Sequence, residues 1–237
     1  MKSYLALAWK ELKAQKITAI LILVAVIMST IMTTVIGQSI GILQSMRIQQ
    51  AAGLNGNRYS TFHKLLKEQA QRLHEDARLY DVGDTIFIGS TPLGNSSLSL
   101  YLREYHDNAL SMYPAIGNVK EGRLPEEANE IALSEDALQY LGLDAVIGDT
   151  VSLDLSVSVM DGSLSELEYS ADFVLTGILE SSYIGYSSGT VEGIVGEGTA
   201  EELLPKEYLL YSIDFKTYDK QNFQSIIYAL AEDLNVD

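Results

Sequence analysis

The chain has 237 residues, 47% of them hydrophobic, and carries 32 Asp plus Glu against 16 Lys plus Arg. So acidic a surface repels phosphate backbones and anionic headgroups, which argues against nucleic acid as a partner. Cysteine is absent, which excludes thiol catalysis, thiolate metal sites and disulfide stapling.

The charge is unevenly placed. Residues 1–16 hold four Lys and one Glu, leaving 12 basic and 31 acidic residues after them, a net of −19. Between these two parts, Ile17 to Ile36 is a 20-residue stretch without charge, and the gap between charges extends from Lys16 to Arg47. Twenty helical residues cover the roughly 30 Å hydrocarbon core of a bilayer. Eleven of them are Ile, Leu or Val, which together favour insertion by about several kcal/mol. A cleaved signal peptide has a shorter apolar region followed by a small-residue cleavage site, and neither is seen here. Lys2, Lys10, Lys13 and Lys16 precede the span and Arg47 alone follows soon after it. The positive-inside rule therefore keeps the N-terminus in the cytoplasm and exports the acidic body.

Before the span, Leu5, Ala8, Trp9 and Leu12 recur at helical spacing beside Lys10 and Lys13. This fits either a short interfacial helix with Trp at headgroup depth or an ordinary positive flank. The expected organisation is a cytoplasmic interfacial helix over 1–16, a transmembrane helix and stalk over 17–45, and an extracellular domain of one or two lobes over 46–237. Within the span, Ser29, Thr33, Gly37, Gly41 and Ser45 fall every four residues, a row of small side chains that lets another helix approach closely. Each step of four drifts by about 40°, so the row winds around the helix and suits a crossing partner.

In the body, Phe62, Leu66, Ala70, Leu73 and Ala77 form one stripe and predict a helix over Ser60–Leu79, capped by Ser60 or Thr61. Two strand-like runs, Ile86–Gly89 and Ser97–Leu102, flank a turn at Thr91, Pro92, Gly94 and Asn95. Ser134 begins a short helix with acids in its first turn and Gly142 as terminator. After the turn at Ile147-Gly148-Asp149, strict alternation at Val151, Leu153, Leu155, Val157 and Val159 predicts a strand. Leu167, Tyr169, Ala171, Phe173 and Leu175 continue the pattern beyond Asp161-Gly162, so the two runs should pair as a long hairpin. Leu209, Tyr211, Ile213 and Phe215 predict a last strand, and Phe223, Ile226, Ile227, Leu230 and Leu234 a last helix. Strands mixed with helices make this an α/β or α+β domain.

Few residues are arranged for chemistry. Gly185-Tyr186-Ser187-Ser188-Gly189 matches the G-x-S-x-G pattern of serine hydrolases, but a glycine-rich loop follows instead of a helix. All three histidines also precede the serine, where that fold places its histidine last. Gly193, Gly196 and Gly198 lack the Lys-Ser or Lys-Thr pair of a nucleotide loop and are expected to form a mobile loop. His63 and His74 lie on one predicted helix beside Glu75, but spacing supplies no further metal ligand. No catalytic, cofactor or metal residue is assigned.

The order of features resembles the first transmembrane helix and extracellular core domain of FtsX-like, MacB-type ABC transporter permeases of Gram-positive bacteria. The resemblance rests on Ala8-Trp9-Lys10-Glu11-Leu12, the span, Gly122-Arg123-Leu124-Pro125, Asn129-Glu130-Ile131-Ala132-Leu133, Leu141-Gly142, Ile147-Gly148-Asp149 and Phe173-Val174-Leu175-Thr176-Gly177-Ile178. It implies a non-catalytic permease component without cofactor, whose exported domain moves with membrane helices driven by a cytoplasmic ABC ATPase on a separate chain. Other transmembrane helices or a second permease copy would complete it. The family continues with further spans, so the sequence is expected to be a truncated piece of such a permease, or else a free-standing relative. The alternative function is a membrane-anchored extracellular sensor or an adhesion module.

Overall fold

A computed structural model describes residues 15–94, 96–161, 163–181 and 189–236, together with Tyr4 and Lys10. The chain divides into two compact units, Met1–Gln50 and Ala51–Asp237. The suggested interfacial helix at Leu5, Ala8, Trp9 and Leu12, the hairpin residue Gly162 and the serine of Gly185–Gly189 lie outside the described residues.

The first unit is dominated by helix α1, Lys16–Asn55, 40 residues long. Its stretch Lys16–Arg47 is long and apolar enough to cross a membrane. Ile20, Leu21, Leu23, Val26, Ile27, Ile31, Val35 and Ile36 are all exposed, so apolar side chains cover every side of the helix. Such a surface is costly in water and suited to lipid or to other helices.

The second unit is built on nine strands among the described residues: β1 Ser60–Leu65, β2 Leu79–Pro92, β3 Ser99–Tyr105, β4 Val119–Gly122, β5 Glu130–Ser134, β6 Thr150–Asp161, β7 Ser163–Leu179, β8 Thr190–Val195 and β9 Tyr211–Thr217. They form one sheet in the order β1-β9-β2-β3-β8-β5-β7-β4, with β6 pairing both β7 and β2. The β3–β8 and β5–β7 pairs are parallel and the other pairs antiparallel. Among the described residues, four α-helices, α2 Lys67–His74, α3 Glu135–Leu141, α4 Thr199–Leu203 and α5 Phe223–Leu234, accompany the sheet. Ala70 and Leu73, Ala137 and Leu138, Ala200, and Leu230 and Leu234 bring all four into one core with Ile86, Leu102, Ile131, Phe173, Ile213 and Phe215. This is the mixed α/β domain that strands interleaved with helices predict.

The alternating runs form the expected hairpin, with Val151 opposite Phe173, Leu153 opposite Ala171 and Leu155 opposite Tyr169. Ser134 caps α3 by accepting the Ala137 amide at 3.2 Å, and Gly142 ends the helix in the left-handed conformation at φ 71°. Two expectations are corrected. The stripe Phe62–Ala77 is not one helix: Ser60–Leu65 pairs with β9 as an edge strand, where Phe62 stacks on Phe215 at 5.6 Å. Leu66, half-exposed, then only precedes α2, and tertiary pairing has overridden a chance helical period. The glycine cluster is not a mobile loop either. Gly193 is buried in the central strand β8, where an added Cβ would fall 2.6 Å from Leu102 and 2.8 Å from Leu133. Glycine stands there because neighbouring side chains occupy the space.

Most of the separate motifs that carry the family resemblance meet on β7. The Arg123 amide donates to the Thr176 carbonyl at 2.9 Å, the Val174 amide to the Asn129 carbonyl at 2.8 Å, and the Gly148 amide to the Leu175 carbonyl at 2.8 Å. Arg123 forks onto Glu130 through Nη1 at 2.8 Å and Nη2 at 2.5 Å, and Glu130 also accepts the amides of Glu126 and Glu127. The Arg123 guanidinium, with those two amides behind it, holds the Glu130 carboxyl down to about 2. A depressed carboxylate contributes stability above its unfolded value and loses it as pH falls towards the folded one. Arg123 is about half exposed, so solvent screening keeps the gain modest. Arg123→Ala is expected to lower the unfolding free energy of the full chain by a small but measurable amount at pH 7. The difference should shrink between pH 4.5 and about 2; equal stability of both proteins at pH 7 would contradict the assignment.

Candidate functional site

The sequence singles out one row, and all five of its members lie on α1. Gly37 and Gly41 have nothing within 4 Å of the position a Cβ would take. Thr33 Oγ1 donates to the Ser29 carbonyl and Ser45 Oγ to the Ile42 carbonyl, both at 2.8 Å. With their hydroxyls satisfied inside the helix, these residues can enter hydrocarbon without an orphaned donor. What remains is a shallow groove of small side chains winding through a wall of Ile, Leu, Val and Met.

A second arrangement, which the sequence did not reveal, lies where the chain enters the domain. Gly56 takes φ 73°, and a Cβ there would fall 2.8 Å from Arg58 Nη1 and 2.9 Å from the Met112 carbonyl, so only glycine fits. The next amides are tied to the body: Asn57 donates to the Met112 carbonyl at 2.5 Å and Tyr59 to the Phe215 carbonyl at 3.0 Å. Arg58 then reaches Asp214 of β9, Nε to Oδ1, at 2.9 Å. Asp214 is 1% exposed and is satisfied on both oxygens. Thr61 donates to Oδ1, and the Tyr113 hydroxyl donates to Oδ2 at 2.6 Å. The Arg58 guanidinium also sits 5.2 Å from the centre of the Tyr113 ring. Burial, followed by this bond to a carboxylate, pushes the Tyr113 hydroxyl up to about 12. One buried charge thus joins the entry segment, the turn after β3 and strand β9.

The two histidines placed on one helix by the sequence are apart. His63 lies on β1, its Nδ1 3.0 Å from Ser212 Oγ, whereas His74 ends α2.

No family model matches the chain, and no curated protein does. Among solved structures, the chain is similar to the periplasmic region of MacB from Actinobacillus actinomycetemcomitans, at 13% identity over 78% of this chain and 88% of that chain, TM-score 0.49. It is also similar to the extracellular domain of the noncanonic ABC-type transporter YknZ from Gram-positive bacteria, at 12% identity over 73% and 86%, TM-score 0.45. A domain of a Porphyromonas gingivalis protein described as a permease follows, at 14% identity over 75% and 78%, TM-score 0.43.

Two outcomes test the two arrangements. Single cysteines at Gly37 and Gly41 are expected to crosslink to another helix in native membranes, more than a cysteine at Ile22 or Ile27; uniform absence of crosslinks contradicts a packing row. Asp214→Asn leaves Arg58 facing a neutral amide, and since Arg58 is partly exposed the expected loss is about 2–4 kcal/mol. Urea unfolding of the full chain in detergent measures it, and an unchanged midpoint would show that the carboxylate does not hold the entry segment.

Proposed function

We infer that the chain is the membrane permease component of an ABC transporter, non-catalytic itself. Helix α1 crosses the cell membrane with the N-terminus cytoplasmic, and residues after about 46 are extracellular. A cytoplasmic ABC ATPase on a separate chain supplies the work, and the row Ser29, Thr33, Gly37, Gly41 and Ser45 seats a neighbouring transmembrane helix or a second permease copy. The exported domain then moves with its helix and acts on a substrate to be exported or extracted.

Three features support this reading. The lysines lie before the span and the acids after it, as the positive-inside rule requires. The family motifs run through nearly the whole chain. The observation that carries the proposal is the third: the stretch Lys16–Arg47 of α1 is long and apolar enough to cross a membrane, and a separately folded acidic domain follows it.

Purification of the native protein from membranes under mild detergent tests the proposal. An ATPase subunit and at least one further membrane-spanning partner are expected to co-purify; recovery of neither contradicts it.

A further inference from the structure

Two of the three histidines lie close together on the domain, each between two carboxylates. His106 Nε2 is 2.7 Å from Glu104 Oε1, an ion-pair contact rather than an aligned hydrogen bond, and its Nδ1 is 3.3 Å from Glu197. Glu104 is already committed, because it accepts the amides of Gly198 and Ala200 at 2.9 and 2.6 Å and so anchors the start of α4. That group is structural.

The other group differs. His74, the last residue of α2, contacts Asp84 of β2 through Nε2, and its Nδ1 lies 3.9 Å from Oδ2 of Asp107, just beyond β3. One ligand-type atom from each of the three lies within 4.8 Å of the others. The scaffold beneath them is rigid: the His106 amide donates to the Asp84 carbonyl at 2.9 Å, continuing the β2–β3 ladder to the residue before Asp107. Charge sets this group apart as well. Asp76, Asp81, Asp214, Glu130, Glu135, Glu192 and Glu201 each pair with a Lys or Arg. Among the described residues, the ion-pair partner of both Asp84 and Asp107 is His74 alone.

We propose that His74, Asp84 and Asp107 form a binding site for a transition-metal dication of the zinc class. Two carboxylates balance the charge of such an ion, and the imidazole supplies a nitrogen ligand. Three protein ligands and one water complete a tetrahedron, with bonds of about 2.0–2.2 Å to nitrogen and oxygen. The nitrogen ligand and the small ligand number disfavour calcium and magnesium, which take six or more oxygens. A bound ion would take the place of the His74 Nε2–Asp84 hydrogen bond, and Asp107, which faces the other ring nitrogen and is 63% exposed, would swing round to complete the set. The sequence hides the site because α2, β2 and the turn after β3 each contribute one residue.

The test uses the full chain in detergent, stripped with a chelator and titrated calorimetrically with zinc chloride. One saturable site is expected for the native protein. Asp107→Asn keeps a residue suited to the φ of 51° found there, so folding is retained while a ligand charge is removed. That change and His74→Gln should each weaken zinc binding by about tenfold or more. His106→Gln should leave it unchanged, and magnesium chloride should not compete. Absence of saturable binding, indifference to Asp107→Asn, or loss in His106→Gln but not in His74→Gln would each overturn the proposal. A zinc-dependent rise in melting temperature that persists in Asp107→Asn would do so as well.

Discussion

A carboxylate removed from water has to be matched on every side, and Asp214 is matched by residues drawn from two distant parts of the chain. Thr61 is 153 residues away and Tyr113 is 101, yet both converge on the same two oxygens beside Arg58. Removing such a charge from solvent costs several kcal/mol unless ion pairing and hydrogen bonding offset it. The arrangement therefore stabilises one geometry strongly: the entry segment must lie against β9, and the turn after β3 must close over it. β9 stands between β1 and β2, so fixing Asp214 also fixes the edge of the sheet on which α2 packs through Ala70 and Leu73.

The two units present different surfaces. α1 shows apolar side chains on all sides, and the hydroxyls of Thr33 and Thr34 donate within the helix, which suits a hydrocarbon environment. The second unit hides its apolar side chains in one main core and leaves most of its acids, though not Asp214 or Glu104, outside, where Asp154 and Asp172 accept hydrogen bonds from Ser170 and Ser152 along the hairpin. Near the start of the second unit, Gly56 takes a left-handed φ that no other residue could adopt there without strain.

Sequence reasoning succeeded where one local pattern determines the result. The β6–β7 hairpin was legible because apolar residues alternate on both strands and the buried face follows at once. α3 was legible because both its ends are written in Ser134 and Gly142. It failed where the third dimension decides. Ser60–Leu65 shares the spacing of a helix but is claimed by pairing with β9, and Gly193 looks like a loop residue until Leu102 and Leu133 are seen beside it. The row of small residues on α1 is visible as a repeat of four. The clasp and the His74 group were not, because each is made of single polar residues separated by long stretches of chain, and no spacing rule predicts which will meet.

The central claim is that the segment leaving α1 is held as firmly as the strand it joins. Hydrogen–deuterium exchange of the full chain in lipid tests this at the amides of Asn57 and Tyr59, which donate to Met112 and Phe215. Their protection is predicted to match that of β9 and to fall sharply in Arg58→Ala. Rapid exchange at both amides in the native protein, with β9 still protected, would contradict the account.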